Sequence, residues 1–184
     1  FEAPQGRNIL NIRSKDKAGN FTEWKSSYFI VDKTPPQVDN FIIDGQEIGG
    51  SYYTKNNISI NWEVIEDSAI DYYRYTVITE DELSNPELIP DERFTKVNVN
   101  SSQKNFIQTI NTSLEKNKKY FVVLEVINKS GLSSGMLVSN KGVIVDSTSP
   151  VIDEFELQGV FTDSDKNYLN NMSNLDLNIN IIDS

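Results

Sequence analysis

Apolar and polar residues alternate along most of this chain. In "NISINWEVIEDS", Ile58, Ile60, Trp62 and Val64 occupy every second position, the period of a strand with one buried face. The same pattern predicts strands at Val38–Ile43, Asn57–Ile65, Asp71–Thr79, Thr95–Asn98, Asn105–Ile110, Lys119–Ile127 and Met136–Val145. No segment sustains a 3.6-residue period, and turn-forming residues mark the breaks. The polar stretch "EDELSNPELIPDER" from Glu80 reads as a long loop or a turn of helix. The expected class is all-β, and seven short strands suit two sheets packed face to face.

The pattern also repeats. "VDKTPPQVDNFIIDG" from Val31 and "VDSTSPVIDEFELQG" from Val145 share valine, aspartate, threonine, proline, phenylalanine and glycine in step, 114 positions apart. Upstream, "LNIRSKDKAGNFTEW" from Leu10 matches "VLEVINKSGLSSG" from Val123. Downstream, Ile58, Ile60, Trp62 and Val64 fall opposite Leu175, Leu177, Ile179 and Ile181. A period of this length is that of an autonomous domain rather than of a solenoid unit. The expected organisation is the C-terminal part of one repeat at 1–34, a complete domain at 35–148 and the N-terminal part of the next repeat at 149–184. The two partial domains would carry apolar strand faces without their usual partners. Those partners are expected from strands of the parent chain outside this segment or from another chain.

Composition narrows the chemistry. The 184 residues contain no cysteine and no histidine, which removes disulfides, thiolate nucleophiles, Cys/His zinc sites and imidazole-dependent triads. A net charge of −10 would repel phosphate backbones, so nucleic acid is not an expected partner. No apolar run approaches the roughly 20 residues needed to cross a bilayer as a helix. Among the acidic residues no pair sits in a recognisable catalytic motif, and no enzymatic activity is expected.

Trp62, the pair Tyr73 and Tyr75, and "LEKNKKYFVVLEVINKSG" with Leu114 six residues before Tyr120 resemble the fibronectin type III pattern. The endings "SNKGVIVDSTSP" and "DKAGNFTEWKSSYFIVDKTPP" resemble junctions of tandem bacterial Ig-like repeats in secreted and cell-surface proteins. The resemblance implies tandem Ig-like (fibronectin type III-like) sandwiches, with Trp62 in the core and Tyr120 forming a tyrosine corner. It further implies an extracellular or cell-surface location and a structural or adhesive role as stalk, spacer or filament. The implied partners are neighbouring repeats, copies of the same chain, or a surface protein or glycan ligand. The alternative is an accessory carbohydrate-binding or spacer module of a secreted polysaccharide-degrading enzyme.

The joints hold the candidate site. Proline fixes φ and biases the preceding residue to extended geometry, so "KTPP" and "STSP" predict stiff connections. The Ig-like arrangement would bring Asp32 near Glu66, Asp67 and Asn128, and Asp146 near Asp183. Carboxylates with an amide or carbonyl oxygen are ligands that calcium prefers; otherwise no cofactor is expected. The plainer reading is that these aspartates cap turns by accepting backbone N–H groups. A second candidate is Tyr72, expected to face outward beside Arg74, where an aromatic ring could stack on a sugar. Asn-x-Ser/Thr sequons occur at Asn20, Asn57, Asn111 and Asn128, but an Asn-rich chain produces many by chance, and the expected strand positions of Asn57 and Asn128 make those two poor glycosylation acceptors.

Overall fold

The computed structural model describes residues 2–65, 69–99, 103–158, 160–163, 166–169 and 176–182, with side chains outside 155–177. The strands are β1 (Gly6–Ile12), β2 (Lys25–Val31), β3 (Val38–Ile43), β4 (Gln46–Ile48), β5 (Ser51–Thr54), β6 (Ile58–Val64), β7 (Ile70–Thr79) and β8 (Thr95–Asn98). They continue with β9 (Asn105–Ile110), β10 (Lys119–Asn128), β11 (Leu137–Val138), β12 (Val143–Val145), β13 (Val151–Gln158), β14 (Val160–Asp163), β15 (Lys166–Leu169) and β16 (Asp176–Ile182). The protein is all-β. Among the described residues, no helix is long and apolar enough to cross a membrane. Two compact units, 1–145 and 146–184, are considered separately.

Within the first unit, β3, β6 and β9 form an antiparallel sheet, and β4-β5-β12-β10-β7-β8 forms a second, with β11 also paired to β10. The β5–β12 pairing is the parallel one in that sheet. Strict alternation in β6 puts Ile58, Ile60, Trp62 and Val64 inward, where they share one core with Tyr73, Tyr75, Tyr120, Val122, Leu124, Val126, Val143 and Val145 of the opposite sheet. Trp62 stacks on Phe106 at 5.2 Å and meets Tyr73 edge-on at 4.8 Å. The Tyr120 hydroxyl accepts the Glu115 N–H at 2.9 Å, the hydrogen bond expected of a corner tyrosine.

The stretch from Glu80 forms three short 3-10 helices, Glu80–Ser84, Pro86–Leu88 and Asp91–Arg93. They cover the outer face of the larger sheet. Ile89 joins Ile78, Phe121 and Val123 in a second apolar cluster, flanked by Leu83, Phe94, Met136 and Val138. For this reason β10 is buried on both faces and reads as a continuous apolar run rather than an alternating one.

Two expectations need correction. The strand anticipated at Met136–Val145 splits into β11 and β12, because Ser139 leaves the regular ladder. Its hydroxyl accepts the Val122 N–H at 3.1 Å and donates to the Lys141 carbonyl at 2.9 Å, replacing backbone partners with a side chain. The hairpin β4–β5, with Gly49 and Gly50 at positive φ, was not anticipated: "QEIGGSYYT" is too short and polar to stand out.

The repeated sequences form repeated ladders. In the ribbon β1–β2, Arg7 pairs with Ile30 and Asn8 with Phe29. Shifting β1 by 112 positions and β2 by 114 gives Lys119 with Ile144 and Tyr120 with Val143, the observed β10–β12 pairs. This places Leu10 opposite Val122, one residue away from the match suggested by the segment starts. In the second unit, Ile152 pairs with Ile181, Glu156 with Asn178 and Leu157 with Leu177. Shifted back by 114 and 117, these are Val38 with Val64, Ile42 with Asn61 and Ile43 with Ile60 of β3–β6. Both ladders also step register by one residue within the first strand, between Asp39 and Ile42 and between Ile152 and Glu154. The second unit additionally contains the hairpin β14–β15.

Candidate functional site

The joint after β2 is built around an amide. Asn128, at the end of β10, is 1% exposed. Its Oδ1 accepts the N–H groups of Ser130 at 3.1 Å and Leu132 at 2.9 Å, closing the turn that Gly131 permits at φ 80°. Two donors on Oδ1 fix the amide orientation, so Nδ2 points to the linker. There it donates to Asp32 Oδ2 at 2.9 Å and to the Thr34 carbonyl at 3.1 Å. The sequence expectation of Asp32 beside Asn128 therefore holds as a direct contact.

Two further residues complete the joint. Asp32 Oδ1 accepts the Thr34 N–H at 3.1 Å and the Gln5 Nε2 group at 3.1 Å. Gln5 Oε1 in turn accepts the Lys33 N–H at 2.6 Å. Thr34 was legible in the repeated D-x-T of the two joints, whereas nothing in the sequence marked Gln5. At the second joint Asp146 Oδ1 accepts the Thr148 N–H at 3.0 Å and its hydroxyl at 2.6 Å, so both aspartates cap the same two-residue turn.

The Asn128 turn has a counterpart in the β1–β2 connection. Asp16 takes the place of Asn128: its Oδ1 accepts the Asn20 N–H at 2.8 Å, and the Asp16 N–H donates to the Asn20 carbonyl at 2.9 Å. Asn128 and Leu132 make the same backbone bond at 3.0 Å. Gly19, at φ 98°, stands where Gly131 does. Hydrogen bonds from the Asn20 side chain and backbone hold the Asp16 carboxyl below its ordinary range. A carboxylate there can accept but not donate, so Asp16 closes its turn without the amide that reaches a linker.

The remaining acidic candidates, Glu66, Asp67 and Asp183, lie outside the described residues. Among the described residues no group of three or more Asp or Glu side chains could hold a metal ion. The Asn128 Oδ1, one of the oxygens envisaged for calcium, is committed to two N–H donors. Its position at 1% exposure agrees with the expectation that Asn128 is a poor glycosylation acceptor, because a buried amide does not meet a glycosyl donor.

Tyr73 and Tyr75 face the core, and Tyr72 lies on the opposite face beside Arg74. That tyrosine is already covered: the Lys96 ammonium stands 3.5 Å from its ring centroid. Arg74 is engaged as well, by Glu125, by Asp91 at 2.8 Å and by the Phe94 ring at 4.6 Å. Burial opposes its charge, but hydrogen bonds to Asp91 and Glu125 outweigh that and raise its pKa. The face expected to stack sugars is thus occupied by side chains of the sheet itself. Compared with known proteins, the chain matches no family model and no curated protein.

Proposed function

We propose that this chain is a non-catalytic structural segment of an extracellular or cell-surface protein, built from tandem Ig-like, fibronectin type III-like sandwiches that act as stiff spacers. The observation that carries the reading is the joint: a linker containing two prolines is clamped by a buried asparagine of the following sandwich. Three features support it further. The partial repeats at both ends form ladders in the same register as the central strands. The corner hydrogen bond of Tyr120 and the core position of Trp62 agree with the fibronectin-type resemblance. The net charge of −10 disfavours side-by-side sticking of modules.

Mechanically, the prolines remove backbone freedom while the Asp32–Asn128 contact selects one orientation from what is left. Stiffness then comes from hydrogen bonds and proline geometry rather than from a bound ion. Because the chain has no cysteine, labels can be placed cleanly at Lys17→Cys and Thr109→Cys, both on exposed positions. Single-molecule energy transfer between them should give one narrow distribution, unchanged by calcium or a chelator. Asn128→Ala should broaden it. A wild-type distribution as broad as that of the variant would rule out a stiff joint.

A further inference from the structure

We propose that a cleft on the larger sheet, where the β4–β5 hairpin meets β12 and the start of β10, binds an acidic sugar, a hexuronate, with its carboxylate held between Lys119 and Lys141. The cleft has a volume of about 470 Å³, and Tyr52, Lys119, Phe121, Asn140, Lys141 and Gly142 are among its lining residues. Sites for small molecules commonly span roughly 300–1,000 Å³. A steric requirement shapes the floor. Gly142 is not among the glycines at positive φ, so its conformation does not demand a glycine. Space does, because a Cβ there would stand 2.7 Å from the Phe121 ring and 3.0 Å from Lys119 Cε. The aromatic ring and the Lys119 stem therefore lie directly against the backbone next to Lys141.

Both lysines are placed by aromatic rings. The Lys141 ammonium stands 4.1 Å from the Tyr52 ring centroid and donates to the Tyr52 hydroxyl, which in turn donates to Glu47 Oε2 at 2.7 Å. Glu47 is thus engaged by the phenol, and the hydrogen bond to Tyr52 raises the Lys141 pKa, so the ammonium stays charged. Lys119 stands 5.4 Å from the Phe121 ring centroid, and its acidic neighbour Glu80 lies at 3.5 Å, longer than a strong charge-assisted hydrogen bond. An ammonium carries three donors and no acceptor, so both heads keep N–H groups for a ligand, and a carboxylate offers one oxygen to each. The rest of the lining favours a sugar. Ser51 and Asn140 supply a hydroxyl and an amide that both donate and accept, as ring hydroxyls do, and the cleft is larger than a simple carboxylate fills. The site requires no particular stiffness at the joint, so it stands apart from the spacer reading.

Amide NMR titration of the full chain with sodium glucuronate tests it, with glucose as the uncharged sugar and acetate as the carboxylate without a sugar. Glucuronate should shift the amides of Gly50, Lys119 and Gly142 saturably, and glucose and acetate should each bind roughly tenfold more weakly or less. Lys119→Gln and Lys141→Gln should each weaken glucuronate binding roughly tenfold or more, the loss of one charge-assisted hydrogen bond. Both side chains are exposed, so the thermal melts of these variants should match the wild type. Lys129→Gln makes the same charge change at an exposed position at the far end of β10 and should leave the affinity as it was. Absence of saturable shifts at these amides would overturn the proposal. Glucose or acetate binding as tightly as glucuronate would overturn it too, and so would Lys129→Gln weakening binding as much as the cleft variants, since that would be diffuse attraction rather than a site.

Discussion

The ribbon β1–β2 and the strands β10 and β12 have the same register, the same glycine-closed turn and the same following D-x-T linker, yet one lies exposed and the other forms the centre of a core. Leu124 is fully buried and its counterpart Ile12 is not. The difference teaches that ladder geometry here is local, fixed by alternation and turn chemistry, whereas burial depends on whether a second sheet is present to receive the side chains. The turns differ in one atom pair. Asn128 offers an N–H₂ group to the linker carboxylate, and Asp16, identical in its turn, cannot.

The largest expected effects break the comparison on its buried side. Trp62→Ala should destabilise the central sandwich by roughly 3–5 kcal/mol, and Leu124→Ala by roughly 2–5 kcal/mol, through the cavities they leave. The matching Ile12→Ala should cost less than about 0.5 kcal/mol in dilute solution, as an exposed substitution does. Urea midpoints of the three variants measure the contrast, and equal losses at Leu124 and Ile12 would show that the ribbon face is covered after all.

An intermediate effect separates the two turns. Asn128→Ala removes an acceptor from two turn N–H groups and the donor to Asp32 and Thr34, at a buried position, and should cost about 1–3 kcal/mol. Asn128→Asp keeps the turn, as Asp16 shows, but sets a second carboxylate against Asp32. It should therefore free the linker while leaving the turn closed, seen as hydrogen exchange accelerating at Thr34 but not at Leu132. Faster exchange at both amides would mean that turn and linker are one unit.

The smallest effect lies in the 3-10 segment, which the ribbon lacks. Glu82 accepts from Arg93 and from the Thr79 N–H, and these bonds lower its carboxyl from 4.5 to about 2. A folded-state value below the unfolded one means that the stabilisation is present above about pH 4.5 and is lost as pH falls towards 2. Because Glu82 and Arg93 side chains are 34% and 39% exposed, solvent screening limits it to roughly 0.5–1 kcal/mol. Glu82→Gln should remove that part of the pH dependence in thermal melts between pH 5 and 2. A variant with the wild-type slope would assign the acid sensitivity elsewhere.

By itself the sequence determined what depends on neighbours along the chain. Alternation located β3, β8 and β9 to the residue, because a half-buried strand writes its two faces as a period of two. The repeated "VD-T-P" phrase marked both joints, since an aspartate capping a turn two residues on is a local device. Only the tertiary structure decided that the segment from Glu80 folds over the outer sheet face, making β10 apolar on both sides, for no short-range pattern says where a polar loop lays its few apolar residues. The same limit hid the contact of Gln5 with Asp32. A hydrogen bond between residues 27 positions apart exists only once the chain has brought them together.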